Sequence, residues 1–142
     1  MRSTILIALS LFLTATAYSQ EEAIKAVWQN VEKTSKIRIF KATNGKYYGK
    51  IEWTQNADKK DINNPDPKKQ NDPIVGLMII KDFTYDAAKK QWGGGTIYDP
   101  DNGKTYDCYM WFEGGKTDVL HLKGYIMGMK FMGRETQFTK IE

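Results

Sequence analysis

The sequence predicts an all-β domain, an eight-stranded antiparallel up-and-down barrel with a short N-terminal helical turn. Two observations carry this. β-Branched and aromatic residues recur in short runs bounded by Gly, Asn, Asp or Pro, at the spacing of successive strands. The breaks between neighbouring runs have hairpin chemistry, as at Asn44-Gly45 and Asp99-Pro100-Asp101-Asn102-Gly103. Eight strands joined by hairpins can close on themselves, which removes exposed edges.

Residues 1–19 have the order of a secretory signal peptide: Arg2, then the apolar run Ile5 to Leu13, then small residues at Ala15, Ala17 and Ser19. The run is shorter than the roughly 20 residues that span a bilayer, so stable membrane insertion is not expected. Cleavage before Gln20 leaves a barrel domain of residues 20–142, long enough to bury a core, with an expected location in the periplasm or outside the cell. Glu21 to Trp28 can form a helical turn or two. Strands are expected near Val27–Val31, Lys36–Ala42, Lys46–Trp53, Ile74–Phe83, Gln91–Tyr98, Lys104–Phe112, Val119–Ile126 and Arg134–Ile141.

Alternation assigns faces. Tyr47, Gly49, Ile51 and Trp53 share one side of the third strand, and Tyr106, Cys108, Met110 and Phe112 one side of the sixth. On the seventh, Leu120, Leu122, Gly124 and Ile126 point inward and His121 outward. A three-residue loop through Lys116 pairs Met110 with Leu120 and Cys108 with Leu122. This keeps both apolar stripes on one side and separates Cys108 from His121. Between the third and fourth strands, Thr54 to Pro73 is aperiodic and rich in Asx and proline. A loop of this length is expected to be a lid over the barrel mouth, centred on Asn64, Pro65, Asp66 and Pro67.

The chemistry is sparse. Without Arg2, 20 basic residues face 17 acidic ones, mixed along the chain, which is a solvated surface and not a nucleic-acid footprint. His121 is the only histidine, Cys108 the only cysteine, and Ser35 the only serine after residue 19. No nucleophile–base pair, zinc shell or phosphate-binding glycine loop emerges, so no enzyme activity, metal or cofactor is expected. Binding chemistry remains. The candidate pocket residues are Trp28, Tyr47, Trp53, Tyr106, Met110, Phe112, Arg134 and Phe138. Strand glycines at 49, 76, 94, 95 and 124 favour a hollow interior, and Met127 to Gly133 sets flexible thioethers beside glycines.

Several motifs in this order, Asn63-Asn64-Pro65-Asp66-Pro67, Pro73-Ile74-Val75-Gly76-Leu77, Trp92-Gly93-Gly94-Gly95-Thr96-Ile97-Tyr98-Asp99-Pro100, Lys123-Gly124-Tyr125 and Phe131-Met132-Gly133-Arg134, resemble the bacterial domain-of-unknown-function family 2147. The resemblance implies export, a lipocalin-like barrel and no established catalytic residues. It also implies that Trp28 on the first strand packs against Arg134 on the last. The leading expectation is a lipocalin-like carrier for a small apolar or amphipathic molecule. The alternative is an interaction module with a filled core and outward aromatics such as Tyr109 and Trp111.

Overall fold

The turns and the alternation build eight strands: β1 (Val27–Asn30), β2 (Ser35–Lys41), β3 (Tyr47–Thr54), β4 (Met78–Asp86), β5 (Gln91–Asp99), β6 (Lys104–Trp111), β7 (Val119–Tyr125) and β8 (Arg134–Lys140). In this computed structural model, which describes residues 19–142, each strand pairs antiparallel with its neighbours in sequence. β8 returns to β1, so the sheet is a closed eight-stranded up-and-down barrel. The signal segment expected at 1–19 lies, apart from Ser19, outside the described residues. One short helix, α1 (Gln20–Ala23), precedes β1.

Up-and-down connectivity gives the barrel two unlike ends. One end carries α1, the chain terminus and the turns β2–β3, β4–β5 and β6–β7. The other carries the turns β1–β2, β5–β6 and β7–β8 and the long β3–β4 loop. The first end is filled. Trp28, Tyr47, Trp92, Met110 and Phe112 meet there, all buried. Trp92 lies edge-on to Tyr47 (6.2 Å between centroids) and to Phe112 (5.4 Å), and Trp28 is 5.8 Å from Phe112. Burying one such side chain stabilises the fold by about 1.5–3 kcal/mol. α1 closes this end. Ile24, just after it, is fully buried, and its carbonyl accepts the Trp28 Nε1–H bond at 2.9 Å.

Three details of register differ from the sequence expectation. A bulge in the β2–β3 pairing sets Lys36 opposite Trp53 but Ile37 opposite Ile51, which inserts one extra β3 residue. The phase therefore flips at the end of β3. Thr54 turns inward and Trp53 outward, 41% exposed, beneath the Lys36 ammonium. In the β6–β7 hairpin, Met110 pairs with Leu122 and Cys108 with Gly124. That register is two residues from the one expected. A two-residue slip leaves every side chain on its own face, so the hydrophobic pattern does not distinguish the two. The β2–β3 turn spans three residues, Thr43 to Gly45, closed by Ala42 N–H to the Lys46 carbonyl, with Gly45 in the left-handed region (φ +80°).

Two of the five glycines expected to make room do the reverse. A Cβ on Gly95 would run into the Phe83 ring, and one on Gly49 would sit 3.0 Å from the Ile80 Cβ. These two glycines permit close packing across the sheet. Only Gly124, of the five, faces the hollow described below.

Candidate ligand-binding cavity

The half of the barrel beyond the aromatic plug is hollow. A cavity of about 1070 Å³ opens between the four mouth loops. Its wall is mainly aliphatic: Ile37 of β2, Ile51 of β3, Ile79 of β4, Ile97 of β5 and Leu122 of β7, with Ile74 from the long loop. Cys108, Tyr98, Tyr106 and Phe138 complete it. Inward positions toward the ends of odd strands and the starts of even strands share the open end, which is why these residues converge. A pocket of this size and polarity suits the apolar body of a small molecule.

Polar groups gather at the mouth. Arg134, at the start of β8, is exposed and lines the cavity, and among the described residues it has no ion-pair partner. Lys59 and Asp101 form an ion pair at 2.6 Å across it. Deeper in, Cys108 is fully buried, and desolvation pushes its thiol up to about 12. It is therefore a neutral wall atom and not a thiolate nucleophile.

The long loop is pinned beside the mouth. Asp61 is fully buried, accepts the Tyr98 hydroxyl at 2.6 Å and receives the Asn64 amide at 2.7 Å. Burial first, and then this bond to Asp61, raise the Tyr98 pKa. Asn63 donates to the carbonyls of Pro100 and Asp101 at 3.1 and 3.0 Å. Its own carbonyl lies where a Cβ on Gly103 would be, and Gly103 has φ +71°. The β5–β6 turn thus requires glycine on two counts.

The structure separates the sequence-predicted pocket residues into three groups. Tyr106, Arg134 and Phe138 line the cavity. Trp28, Tyr47, Met110 and Phe112 point inward but belong to the plug, because they sit at the other end of their strands. Trp53 is turned out by the bulge. The lid is also placed differently. Asn64, Pro65, Asp66 and Pro67 form an outer turn, where Asn64 Oδ1 accepts the Asp66 N–H and Asp66 caps a 3-10 turn at Pro67–Lys69. The residues of this loop that face the cavity are Gln55, Asn56, Lys59 and Ile74. The Trp28–Arg134 packing does not form. β8 runs antiparallel to β1, so Trp28 pairs with Lys140, whose ammonium stands 5.5 Å from the indole ring. Arg134 pairs with Gly124, six residues or about 20 Å further along β8.

Outside the barrel, His121 stacks on Trp111 (5.4 Å, 23°), away from Cys108. Its Nε2 is 3.8 Å from Glu113 and its Nδ1 4.0 Å from Glu135. The two carboxylates face different ring nitrogens. Ser35 lies at the mouth of the cavity, remote from His121 on the outer wall, so no Ser-His-acid triad assembles.

A family model described as an uncharacterised protein conserved in bacteria, DUF2147, matches residues 26–140. Among solved structures, protein HP1028 from the human pathogen Helicobacter pylori, described as belonging to the lipocalin family, is similar with a TM-score of 0.70. The two are 22% identical, over 84% of this chain and 83% of that one, so the likeness is one of fold. No curated protein matches.

Proposed function

Since this chain belongs to the DUF2147 family and folds as a lipocalin-like barrel, we propose that it is a non-enzymatic carrier for a small apolar or amphipathic molecule. The observation that carries the reading is the cavity of about 1070 Å³, aliphatic inside and open at one end only. An apolar tail entering the mouth would trade water for the isoleucine wall, gaining roughly 25 cal/mol per Å² of apolar surface buried. Arg134 at the mouth suits an anionic or strongly polar head group left near solvent. Among the described residues, the carboxylates that line the cavity, Glu32, Asp99 and Asp101, stand at its mouth and not on the aliphatic inner wall, which favours binding over turnover. The filled-core alternative fits only the plugged half of the barrel.

Export to the periplasm or beyond is part of the proposal. It rests on the order of charges, apolar residues and small residues in 1–19.

Native mass spectrometry of protein recovered from its host compartment tests the carrier reading, together with titration of a naphthalene-sulfonate dye that brightens in apolar surroundings. Retained small molecules, or saturable dye binding weakened by Leu122→Arg, would support it. A bare protein that gives no saturable dye signal would refute it. Tryptophan quenching is a poor reporter here, because no tryptophan lines the cavity.

A further inference from the structure

We propose that the open end of the barrel docks on a lipid bilayer surface by inserting apolar loop tips, without relying on electrostatic attraction. The inference rests on the carrier reading, since it names where the cavity would be loaded and emptied.

Among the described residues, every exposed large hydrophobic side chain except Ile141 stands at the open end. Val31 (61% exposed), Ile62 (67%) and Met127 (85%) are on three different mouth loops. None of the three lines the cavity, so a bound ligand would leave them in water. Met127 is held outward by the backbone. It has φ +55°, in the left-handed region that side chains disfavour, and Gly128 follows at φ +73°. A strained turn thus presents an apolar side chain where a polar one would be expected.

Charge and shape indicate what covers these tips. Counting Arg134 beside them and leaving out the buried Asp61, the four mouth loops (31–34, 55–77, 100–103 and 126–133) present seven basic and five acidic residues. A surface that recognises anionic lipid gathers Lys and Arg in a cluster of large excess, and here the two signs are mixed with an excess of only two. The apolar tips are separate and ring the mouth of a hollow, instead of forming one continuous face. A rigid protein partner would have to match those separated points and would also block the mouth. A fluid bilayer accommodates separate tips and presents acyl chains to the opening. Interfacial binding of this kind scales with the apolar area inserted.

The test uses residues 19–142, which contain all eight strands and the core, because the apolar run at 5–13 would partition into lipid by itself. Flotation with pure phosphatidylcholine vesicles should bring the barrel to the top fraction at low and at high salt alike. The triple variant Val31→Ser, Ile62→Ser, Met127→Ser should lose about tenfold or more of that binding, while dye affinity without vesicles stays within about twofold. The proposal is overturned if the parent does not float, if it floats only with anionic vesicles at low salt, or if the triple variant floats equally well. It is also overturned if light scattering shows a dimer that the triple variant abolishes, since a second copy would then cover the tips. Dye binding reports separately on the cavity, so a parent protein that binds dye but does not float refutes docking and leaves the carrier reading standing.

Discussion

Truncating Trp28 and Trp53 separately distinguishes the plug from the surface. Trp28 is fully buried, touches Phe112, bonds the Ile24 carbonyl at 2.9 Å and lies under the Lys140 ammonium. Trp28→Ala removes a large aromatic from a packed site, which costs about 3–5 kcal/mol. It also leaves the buried Ile24 carbonyl without its donor, for about 1 kcal/mol more. The lost cation–π contact adds about 0.5–1 kcal/mol. The total, about 4.5–7 kcal/mol, approaches the whole stability of many domains. Trp53→Ala removes a side chain that is 41% exposed and covered on one side by Lys36, so its cost should stay below about 1 kcal/mol. Urea unfolding followed by far-ultraviolet circular dichroism measures both. A Trp28→Ala loss under about 1 kcal/mol, or equal losses for the two, would refute the placement of the plug and of the β3 bulge.

Gly95→Ala should cost about 1–3 kcal/mol by driving a methyl into the Phe83 ring. Gly124→Ala should be nearly neutral, since its Cβ would meet Tyr106 at an ordinary 3.5 Å; thermal melts of the pair decide this. Tyr98→Phe removes a hydrogen bond from the buried Asp61 carboxylate, at about 1–3 kcal/mol. Hydrogen exchange should then quicken in residues 55–73 before it does in the barrel, and uniform exchange would count against the pin. Cys108, pushed up from 9.0 to about 12, should react with a charged disulfide reagent at pH 8 roughly a thousandfold more slowly than an exposed thiol. A rate within tenfold of glutathione would contradict its burial. The same shift makes stability level below about pH 9 and falling from there toward pH 12, because the unfolded chain loses the thiol proton first; Cys108→Ala should flatten that decline.

The strands and most of their faces were legible because alternation reports which side a residue takes. Cys108 and Met110 on β6, and Phe112 just beyond it, all point in as expected. Alternation does not report height along the barrel axis, and there the expected pocket and the observed one part. Trp28 and Tyr47 sit at or near the starts of odd strands, and Met110 and Phe112 toward the end of an even one. In an up-and-down barrel those positions share one end. Combining strand parity with facing would have put the aromatics in a plug and drawn Ile37, Ile51, Ile79 and Ile97 together as the wall. Trp53 was beyond such reasoning, because a one-residue bulge inverts its face and leaves no pattern in the composition. The loop was legible as long and Asx-rich, but its anchor was not. Asp61 reads as one more solvated acid until Tyr98 is found against it.

The plug makes this barrel a thimble and not a straw. On the proposed carrier function, traffic could not flow through it, and whatever was taken in would leave by the way it came. An elongated guest would travel blunt end last, in one orientation for the whole journey. Delivery from such a vessel calls for an exchange at its single doorway, in which a destination competes with the isoleucines for the same tail. On that proposal, the side of the molecule that met the source would also meet the recipient, and one ring of loops would serve both encounters.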